Sequence, residues 1–394
     1  MKRNYKYRLR PNKQQNKSLD LLFSQARTLY NAALKQRISV YQETGKGINS
    51  ITQWPHFRDE HNNNPAAFGM LNAASLQQLL RRLDKAFSAF FRRLKAGETP
   101  GFPRFKGGSR FKSVEYRYGD GCKLRMKENG QMRVYIQHIG EVKVIYHRPI
   151  PKGALIKHAV IKRVNGKWYV FLMLKLPEPK SKPVPKGSAI GIDMGLKSLL
   201  ATSEGYLFDN PHWLRESLAK LRIAQRRVSR RKKGSKRWLK AVKQAARLHE
   251  KVANQRNDYW HKLTRALAQS HSLIAIEDLN LKFMNRNRRL SLASHDAGLG
   301  LFKELLAYKV EETGCQLVVV DPAYTSQMCS GCGEIVEKDL SVRVHACPDC
   351  GLELDRDVNA ARNIRDRAFK PLGRSLLRIL SGQDGTWAAA SSVS

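Results

Sequence analysis

In the first ten residues apolar and basic side chains alternate. Tyr5, Tyr7 and Leu9 fall between Lys6, Arg8 and Arg10, the period of a strand with one buried face. Pro11-Asn12 ends that run, and Leu19, Leu22, Phe23, Ala26, Leu29, Tyr30 and Ala33 then recur at helical spacing. A second helix is predicted with Leu76, Leu79, Leu80, Leu83, Phe87, Phe90, Phe91 and Leu94 on one face. Its other face carries Arg81, Arg82, Lys85, Arg92 and Arg93. Residues 11–98 are therefore expected as a helical module with basic outer faces. Pro100, Gly101 and Pro103 break the helix, and short β-like runs follow to Leu176. Asn129-Gly130 and Asn165-Gly166 sit between such runs, as tight hairpin turns require. Residues 99–180, completed by the strand at 1–10, are expected to form a small β-barrel or sandwich. Four prolines within 177–186 mark a linker.

Beyond the linker the order of elements carries the information. Strands are expected at Ala189–Asp193, Ser198–Ser203 and Tyr206–Phe208, then a long helical stretch over roughly 212–270, bent at Gly234-Ser235. The buried strand Leu273–Glu277 follows, then a helix near 296–313, the strand Gln316–Asp321, a Cys-rich insert and a helix from Asp357. Three strands, then helix, strand, helix, strand and helix is the order of a ribonuclease-H-like fold. The fold class expected is thus a multidomain α/β chain, its ribonuclease-H-like (RuvC-type) core interrupted by a zinc ribbon and preceded by the barrel and the helical module.

Composition sharpens the partner class. Of 394 residues 42% are hydrophobic, enough for a sizeable core, yet 72 Lys and Arg face 33 Asp and Glu, a net charge of +39. Such self-repulsion is relieved by a polyanion, and nucleic acid is the one expected. No apolar stretch of about 18 residues suggests a membrane span, and the charged residues 1–10 are no secretory signal, so a cytoplasmic location is expected. From His212 to Lys262 there are 17 Lys and Arg against 3 Asp and Glu, a net of +14. The densest run is Arg226, Arg227, Arg230, Arg231, Lys232 and Lys233. Counterion release makes such a surface a sequence-blind phosphate grip, whereas a merely solvated helix face mixes signs.

Two constellations carry chemistry. Cys329-Ser-Gly-Cys332 and Cys347-Pro-Asp-Cys350, 14 residues apart, are two knuckles that suit one structural Zn²⁺ in a closed four-thiolate site, with Gly331, Gly333 and Gly351 easing the turns. His345 is a spare ligand beside four that already fill the site. The second constellation is acidic: Asp193 ends the first core strand, Glu277 ends the fourth and Asp357 begins the last helix. Each has an ordinary alternative, a turn carboxylate or, for Asp357, a helix N-cap. In the inferred fold the three converge, and such a cluster needs divalent cations; two Mg²⁺ ions there would serve phosphodiester cleavage. Asp355, Asp278 and Asp321 are nearby decoys.

These residues also carry a resemblance. Ile190-Gly-Ile-Asp-Met-Gly195, Ile276-Glu-Asp-Leu279, Thr325-Ser-Gln-Met-Cys-Ser-Gly-Cys332 and Asp355-Arg-Asp-Val-Asn-Ala-Ala361 together resemble the TnpB family of transposon-encoded proteins, relatives of the type V CRISPR effectors. Tyr7-Arg-Leu-Arg-Pro11, Leu29-Tyr-Asn-Ala32, Gly101-Phe-Pro-Arg-Phe105 and Ser294-His-Asp-Ala-Gly298 are similar to the same family. The resemblance spans roughly residues 1–370; residues 371–394 match nothing and read as a loose tail. It implies an RNA-guided DNA endonuclease with guide RNA and double-stranded target DNA as partners. It further implies a wedge module at 1–10 and 99–180, a recognition module at 11–98, a nuclease core at 187–325 and 353–370, and a target-binding ribbon at 326–352. It favours Asp357 over Asp355 as the third carboxylate. The alternatives are a non-cleaving RNA-guided binder and a transposase that joins strands itself; three intact acids favour cleavage. A guided nuclease must read a short duplex motif first, and Gln77 on the second helix, able to pair with adenine, is the candidate reader. Guide sequence, target and oligomeric state are not written in the chain.

Overall fold

The computed structural model describes residues 2–108, 110–177, 184–339 and 341–369. The tail expected at 371–394 and six of the ten linker residues lie outside them. Contacts divide the chain into two compact units, Met1–Glu178 and Pro179–Ser394.

The first unit begins with β1 (Lys2–Arg10), followed by α1 (Lys13–Thr44), α2 (Ser50–Asn63), α3 (Pro65–Phe68) and α4 (Ala73–Lys95). Six strands complete it: β2 (Ser113–Arg117), β3 (Cys122–Met126), β4 (Met132–Ile136), β5 (Gly140–Ile145), β6 (Leu155–Val164) and β7 (Lys167–Lys175). Asn12 opens α1 and Asn72 opens α4, each with a reciprocal capping box that satisfies otherwise orphaned N–H groups. The strands form one antiparallel sheet, β2-β6-β7-β1-β5-β4-β3. Its edge strands, β2 and β3, are joined by residues 118–121 alone. Laid flat, seven strands spaced about 4.8 Å apart would hold those edges about 29 Å apart. Five peptide steps reach roughly 18 Å at most, so the sheet curls until its edges approach. The Asn165-Gly166 turn between β6 and β7 has φ of +50° and +77°, as a type I′ hairpin demands. Tyr5, Tyr7 and Leu9 are buried against Leu22, Leu29, Leu79 and Leu83 in one apolar core. The expected apolar face of α4 stops short, however. Phe91 and Leu94 are more than half exposed, because the last turns of α4 run past the core.

The second unit opens with β8 (Ala189–Met194), β9 (Ser198–Thr202) and β10 (Leu207–Asp209). Then come α5 (Trp213–Ser229), α6 (Lys236–Ser270), β11 (Leu273–Glu277), α7 (Leu281–Arg286), α8 (Ser291–Ala297), α9 (Leu299–Thr313) and β12 (Gln316–Val320). The hairpin β13 (Val344–Ala346) and β14 (Glu353–Asp355) leads into α10 (Arg356–Phe369). The sheet order is β10-β9-β8-β11-β12, with β8, β11 and β12 parallel and the first three antiparallel. Two helical expectations are corrected. The stretch 212–270 is not one bent helix but two helices packed on each other, separated where Gly234 takes φ +87°. The helix expected near 296–313 is broken at Gly298, whose φ is +69°.

Strand alternation sorts the second sheet into two faces. Ile190, Ile192, Met194, Ile274 and Ile276 pack with Trp260 and Phe302 of α6 and α9. Ala189, Leu273, Ala275 and Val318 pack instead with Ile364 and Ala368 of α10. On that second face Gly191 lets α10 come very close, since a Cβ there would sit 2.0 Å from Ala361 O and 2.6 Å from Arg365 N. Gly191→Ala should therefore destabilise the second unit by roughly 1–3 kcal/mol or more. Gly47→Ala, whose Cβ meets nothing within 4 Å, should leave stability near wild type; thermal denaturation of the two variants checks this.

Candidate active site

The face that receives α10 is also the acidic one. Asp193 lies two residues beyond Gly191 and Glu277 two beyond Ala275, so both carboxylates point to the α10 side. The parallel register pairs Ile276 with Ile192 and so brings Glu277 level with Asp193 at the strand ends. Asp357 joins them from the first turn of α10. The helix-capping role open to Asp357 falls to another residue. Asp355 accepts hydrogen bonds from Asp357 N at 2.8 Å and Val358 N at 3.3 Å, which leaves the Asp357 side chain uncommitted to the cap. The decoys are accounted for as well: Asp278 is exposed beside Lys303 at 3.8 Å, and Asp321 accepts from Ala323 N.

Electrostatics ties the three acids together. Burial, then the charges of Glu277 and Asp357, push the Asp193 carboxyl up to about 8. Burial raises Glu277, against the hydrogen bond from Thr325 and the charges of Arg367 and Lys303. Asp357 is raised by burial and by Asp355, against Arg343, Arg356 and Lys197. Acids that hold their protons this way are poised to exchange them for cations. Their oxygens do not crowd into a single-ion cage. Among the described residues only the four cysteines bring ligand atoms of three or more residues all within 4.8 Å of one another.

A loop and two asparagines fix this geometry. Thr325, almost fully buried, donates its hydroxyl to Glu277 Oε1. Its own carbonyl accepts from Asn363 Nδ2 at 2.9 Å, and Asn363 also donates to Met328 O at 2.6 Å. One turn earlier Asn359 donates to Met328 O at 2.7 Å and accepts from Ser330 N at 2.9 Å. Both asparagines are buried on α10, four residues apart and thus on one face. The helix that presents Asp357 therefore also holds the loop that orients Glu277.

The cysteines lie on the next stretch of chain. Their two knuckles repeat the same bonds: Gly333 N to Cys329 O at 2.9 Å and Gly351 N to Cys347 O at 3.0 Å, then Cys329 N to Glu334 O and Cys347 N to Leu352 O. Gly333 and Gly351 take φ of +89° and +70°, the left-handed region in which glycine is favoured. The Sγ atoms of Cys329 and Cys350 stand 3.6 Å apart, those of Cys332 and Cys347 3.5 Å. Disulfide sulfurs lie at about 2.05 Å, whereas Zn–S bonds of about 2.3 Å give a tetrahedral edge of about 3.8 Å. The sulfurs thus fit zinc. Burial opposes ionisation of Cys329, but hydrogen bonds from the N–H groups of Cys332 and Gly331 and from the side chains of His345 and Cys350 outweigh it and bring the thiol down to about 6. Buried His345 thus bonds a sulfur of the group without being one of its four ligands.

The remaining residues singled out in the sequence sit apart from the acids. Arg226, Arg227, Arg230, Arg231, Lys232 and Lys233 are all exposed where α5 ends and its link to α6 begins. Gln77 is half-buried on α4, in the first unit. The Ser294–Gly298 motif acquires a role that sequence reasoning missed. Buried Asp296 accepts from Leu214 N at 2.8 Å and Arg215 N at 3.1 Å, and so caps α5, whose own capping residue His212 makes no such bond. Thr325, Asn359 and Asn363 were likewise missed. The available signal was the pair of asparagines at helical spacing in an otherwise charged helix.

Comparison with known proteins gives consistent results. Residues 172–288 match the OrfB_IS605 family model, described as "Probable transposase". Residues 300–364 match a "Cas12f1-like, TNB domain". Residues 1–46 match a model described as a helix-turn-helix domain, although here they fold as β1 and the single long helix α1. A Streptomyces pristinaespiralis protein named "Putative RNA-guided DNA endonuclease" is 33% identical over 375 residues, 92% of this chain and 89% of its own. Escherichia coli K12 "Putative RNA-guided DNA endonuclease InsQ" is 31% identical, covering 91% and 90%. The CRISPR-associated endodeoxyribonuclease Cas12f1 of Sulfoacidibacillus thermotolerans is 25% identical over 75% of this chain and 76% of its own. In fold, the chain is similar to Cas12f1 from its cryo-EM complex with single-guide RNA and target DNA. The TM-score is 0.60 at 18% identity, covering 89% of this chain and 82% of that one.

Two measurements follow. A carboxyl held at about 8 in the folded chain and near 3.9 when unfolded binds its proton more tightly when folded. The Mg²⁺-free fold should therefore lose stability as pH rises between those values. Asp193→Asn should flatten that fall and raise the melting temperature at pH 8, by about 2–4 °C for each kcal/mol of relieved repulsion. Adding Mg²⁺ should stabilise wild type and not the variant; calorimetry in Mg²⁺-free buffer that leaves zinc in place reads both. Elemental analysis should find one zinc per chain, and Cys347→Ser should lose it and melt earlier, since a closed thiolate site contributes folding energy directly.

Proposed function

The chain belongs to the OrfB/TnpB family of IS605-type elements, and from that premise we propose that it is an RNA-guided, Mg²⁺-dependent endonuclease that cuts double-stranded DNA beside a short transposon-associated motif. The observation that carries this is the gathering of Asp193, Glu277 and Asp357 on one face of a mixed sheet, with Asp355 taking the capping role that would otherwise occupy Asp357. All three positions are acidic, which favours cleavage over guided binding alone.

In this reading the second unit is a RuvC-type, ribonuclease-H-like nuclease core over 187–325 and 353–370. Residues 326–352 are its zinc ribbon, where Cys329, Cys332, Cys347 and Cys350 hold one structural Zn²⁺. In the first unit the curled sheet of 1–10 and 99–180 acts as the wedge and 11–98 as the recognition module, with Gln77 reading a base edge of the motif. Guide RNA and target DNA are held through phosphates by Arg226, Arg227, Arg230, Arg231, Lys232 and Lys233. Under this proposal the reaction takes place in the cytoplasm, where an RNA guide and double-stranded DNA meet in a bacterial cell.

Asp193, Glu277 and Asp357 are the residues that would hold two Mg²⁺ ions, which supply an activated water and charge stabilisation at the leaving oxygen. The chain prepares that chemistry. Asp193 gives up its proton as the site fills. Thr325, bonded to one oxygen, fixes the rotamer of Glu277 and leaves the other oxygen for a cation. Arg343, 3.9 Å from Asp357, and Arg356 and Lys197 beside it offset the charge of Asp357 and draw the phosphate backbone toward the site.

Asp193→Ala, Glu277→Ala and Asp357→Ala should each reduce DNA cleavage to background while guided binding persists. Asp355→Asn, which keeps a capping oxygen, should cut at near wild-type rate. Thr325→Val should slow cleavage by about 10–100-fold, the usual effect of losing a residue that orients a metal ligand. Cleavage assays on duplexes matching the copurified RNA decide it. An Asp357→Ala enzyme that still cuts would refute the assignment.

A further inference from the structure

Between the exit of β12 and the zinc ribbon lies a cavity of about 170 Å³ that the site described above leaves unused. It is lined by Tyr324, Thr325, Ser326, Gln327, Lys338 and Arg356, together with Pro322. Its volume is well below the roughly 300–1,000 Å³ of a pocket for a drug-sized ligand, and leaves room for one ring system or one phosphate group. No carboxylate lines it, and its two cations are Lys338, which bonds His345, and Arg356, which donates to the Asp339 and Val342 carbonyls. These partners are neutral and leave the positive charge of the lining for an anion.

Tyr324 is the unusual member. It takes φ +59°, a conformation costly for a bulky side chain, and the residue is 61% exposed. The backbone around it is tightly determined. Tyr324 O accepts from Gln327 N and Met328 N, and Asn363 pins the Thr325 and Met328 carbonyls to α10. A pinned loop that holds an aromatic ring out beside two cations has the composition of a base-stacking platform. The cavity is also coupled to the acids at two points. Its wall residue Thr325 bonds Glu277, and Arg356 lies near enough to Asp193 and Asp357 to act on both electrostatically.

We infer that this cavity takes one phosphate of a single-stranded DNA, adjoining the phosphate that is cut, held against Arg356 and Lys338, with the base of the same nucleotide stacked on the exposed Tyr324 at the cavity's rim. The inference rests on the nuclease reading of the neighbouring carboxylates. Its effect would be to set the strand's position over those carboxylates, so that the cut falls at a defined phosphate rather than anywhere along a flexible strand.

The test uses the full chain with its copurified RNA, sequenced, and single-stranded DNA complementary to that RNA carrying 2-aminopurine scanned across the positions flanking the cut. With Asp193→Ala present to stop cleavage, one position should be quenched. The quench should survive Tyr324→Phe and be lost in Tyr324→Ala, whose backbone meets the same strain. In cleavage-competent chain, Tyr324→Ala should raise KM for the DNA roughly 5- to 100-fold, the range of one lost base stack, with kcat within a few-fold. It should also scatter the cut sites. Quenching that is identical in Tyr324→Ala at every position, or an unchanged KM and cut site, overturns the cavity assignment. A wild type that quenches at Tyr324 but leaves the DNA uncut in Mg²⁺ overturns the nuclease reading and leaves the cavity as a nucleotide site.

Discussion

The second unit depends on how closely one helix can approach one strand. Where α10 crosses β8 there is no room for a methyl group at Gly191, and everything that converges on the acidic face follows from that contact. A helix held further off would lift Asp357 away from Asp193. It would also loosen the loop that Asn359 and Asn363 hold from the same helix, and with it the Thr325 hydroxyl that restrains Glu277. One steric condition thus sets the positions of two carboxylates relative to a third. Mutual repulsion among those acids works against the assembly, and the apolar contacts of Leu273, Ala275, Ile364 and Ala368 beneath them hold it together.

Much of this was legible in the sequence because it rests on periodicity and on fixed spacing. The alternation at Tyr5, Tyr7 and Leu9 gives β1 its buried face, and the apolar runs at 189–193 and 273–277 are strands whose acidic ends stand side by side. The CxxC pairs bring four sulfurs within 4.8 Å. What stayed hidden belongs to tertiary structure. That Asp355 rather than Asp357 would cap α10 depends on a choice between two carboxylates two residues apart, which only the path of β14 into the helix decides. That Asp296 would cap a helix some 80 residues earlier in the chain has no local signature at all. The turn at Gly234 was visible, but whether it bends one helix or divides two depends on α5 and α6 packing together. The apolar stripe of α4 was legible as a stripe, but that its last turns run past the core was not, because a sequence does not say where the neighbouring core ends.

In the sequence the cysteine knuckles and the acids read as separate constellations. Here they share a backbone. Ser330, inside the first knuckle, donates to Asn359 of the helix that carries Asp357, and Met328, one residue before Cys329, accepts from both asparagines. The placement of the knuckle and the placement of the carboxylate are thus two readings of one set of hydrogen bonds.

The topology of the first unit bears on how the chain is made. β1 lies in the middle of the seven-stranded sheet, between β7 and β5, and its partners in β7 stand 159–173 residues further along the chain. At a synthesis rate of about 5–20 residues per second, β1 would wait on the order of 10–30 s before β7 leaves the ribosome. Until then the edge that β7 will cover is unpaired, and the apolar face of α1 lacks the floor it will rest on. For that interval the nascent chain is a highly basic, partly open segment in a compartment full of RNA, and its first polyanion would meet it before its own sheet has closed.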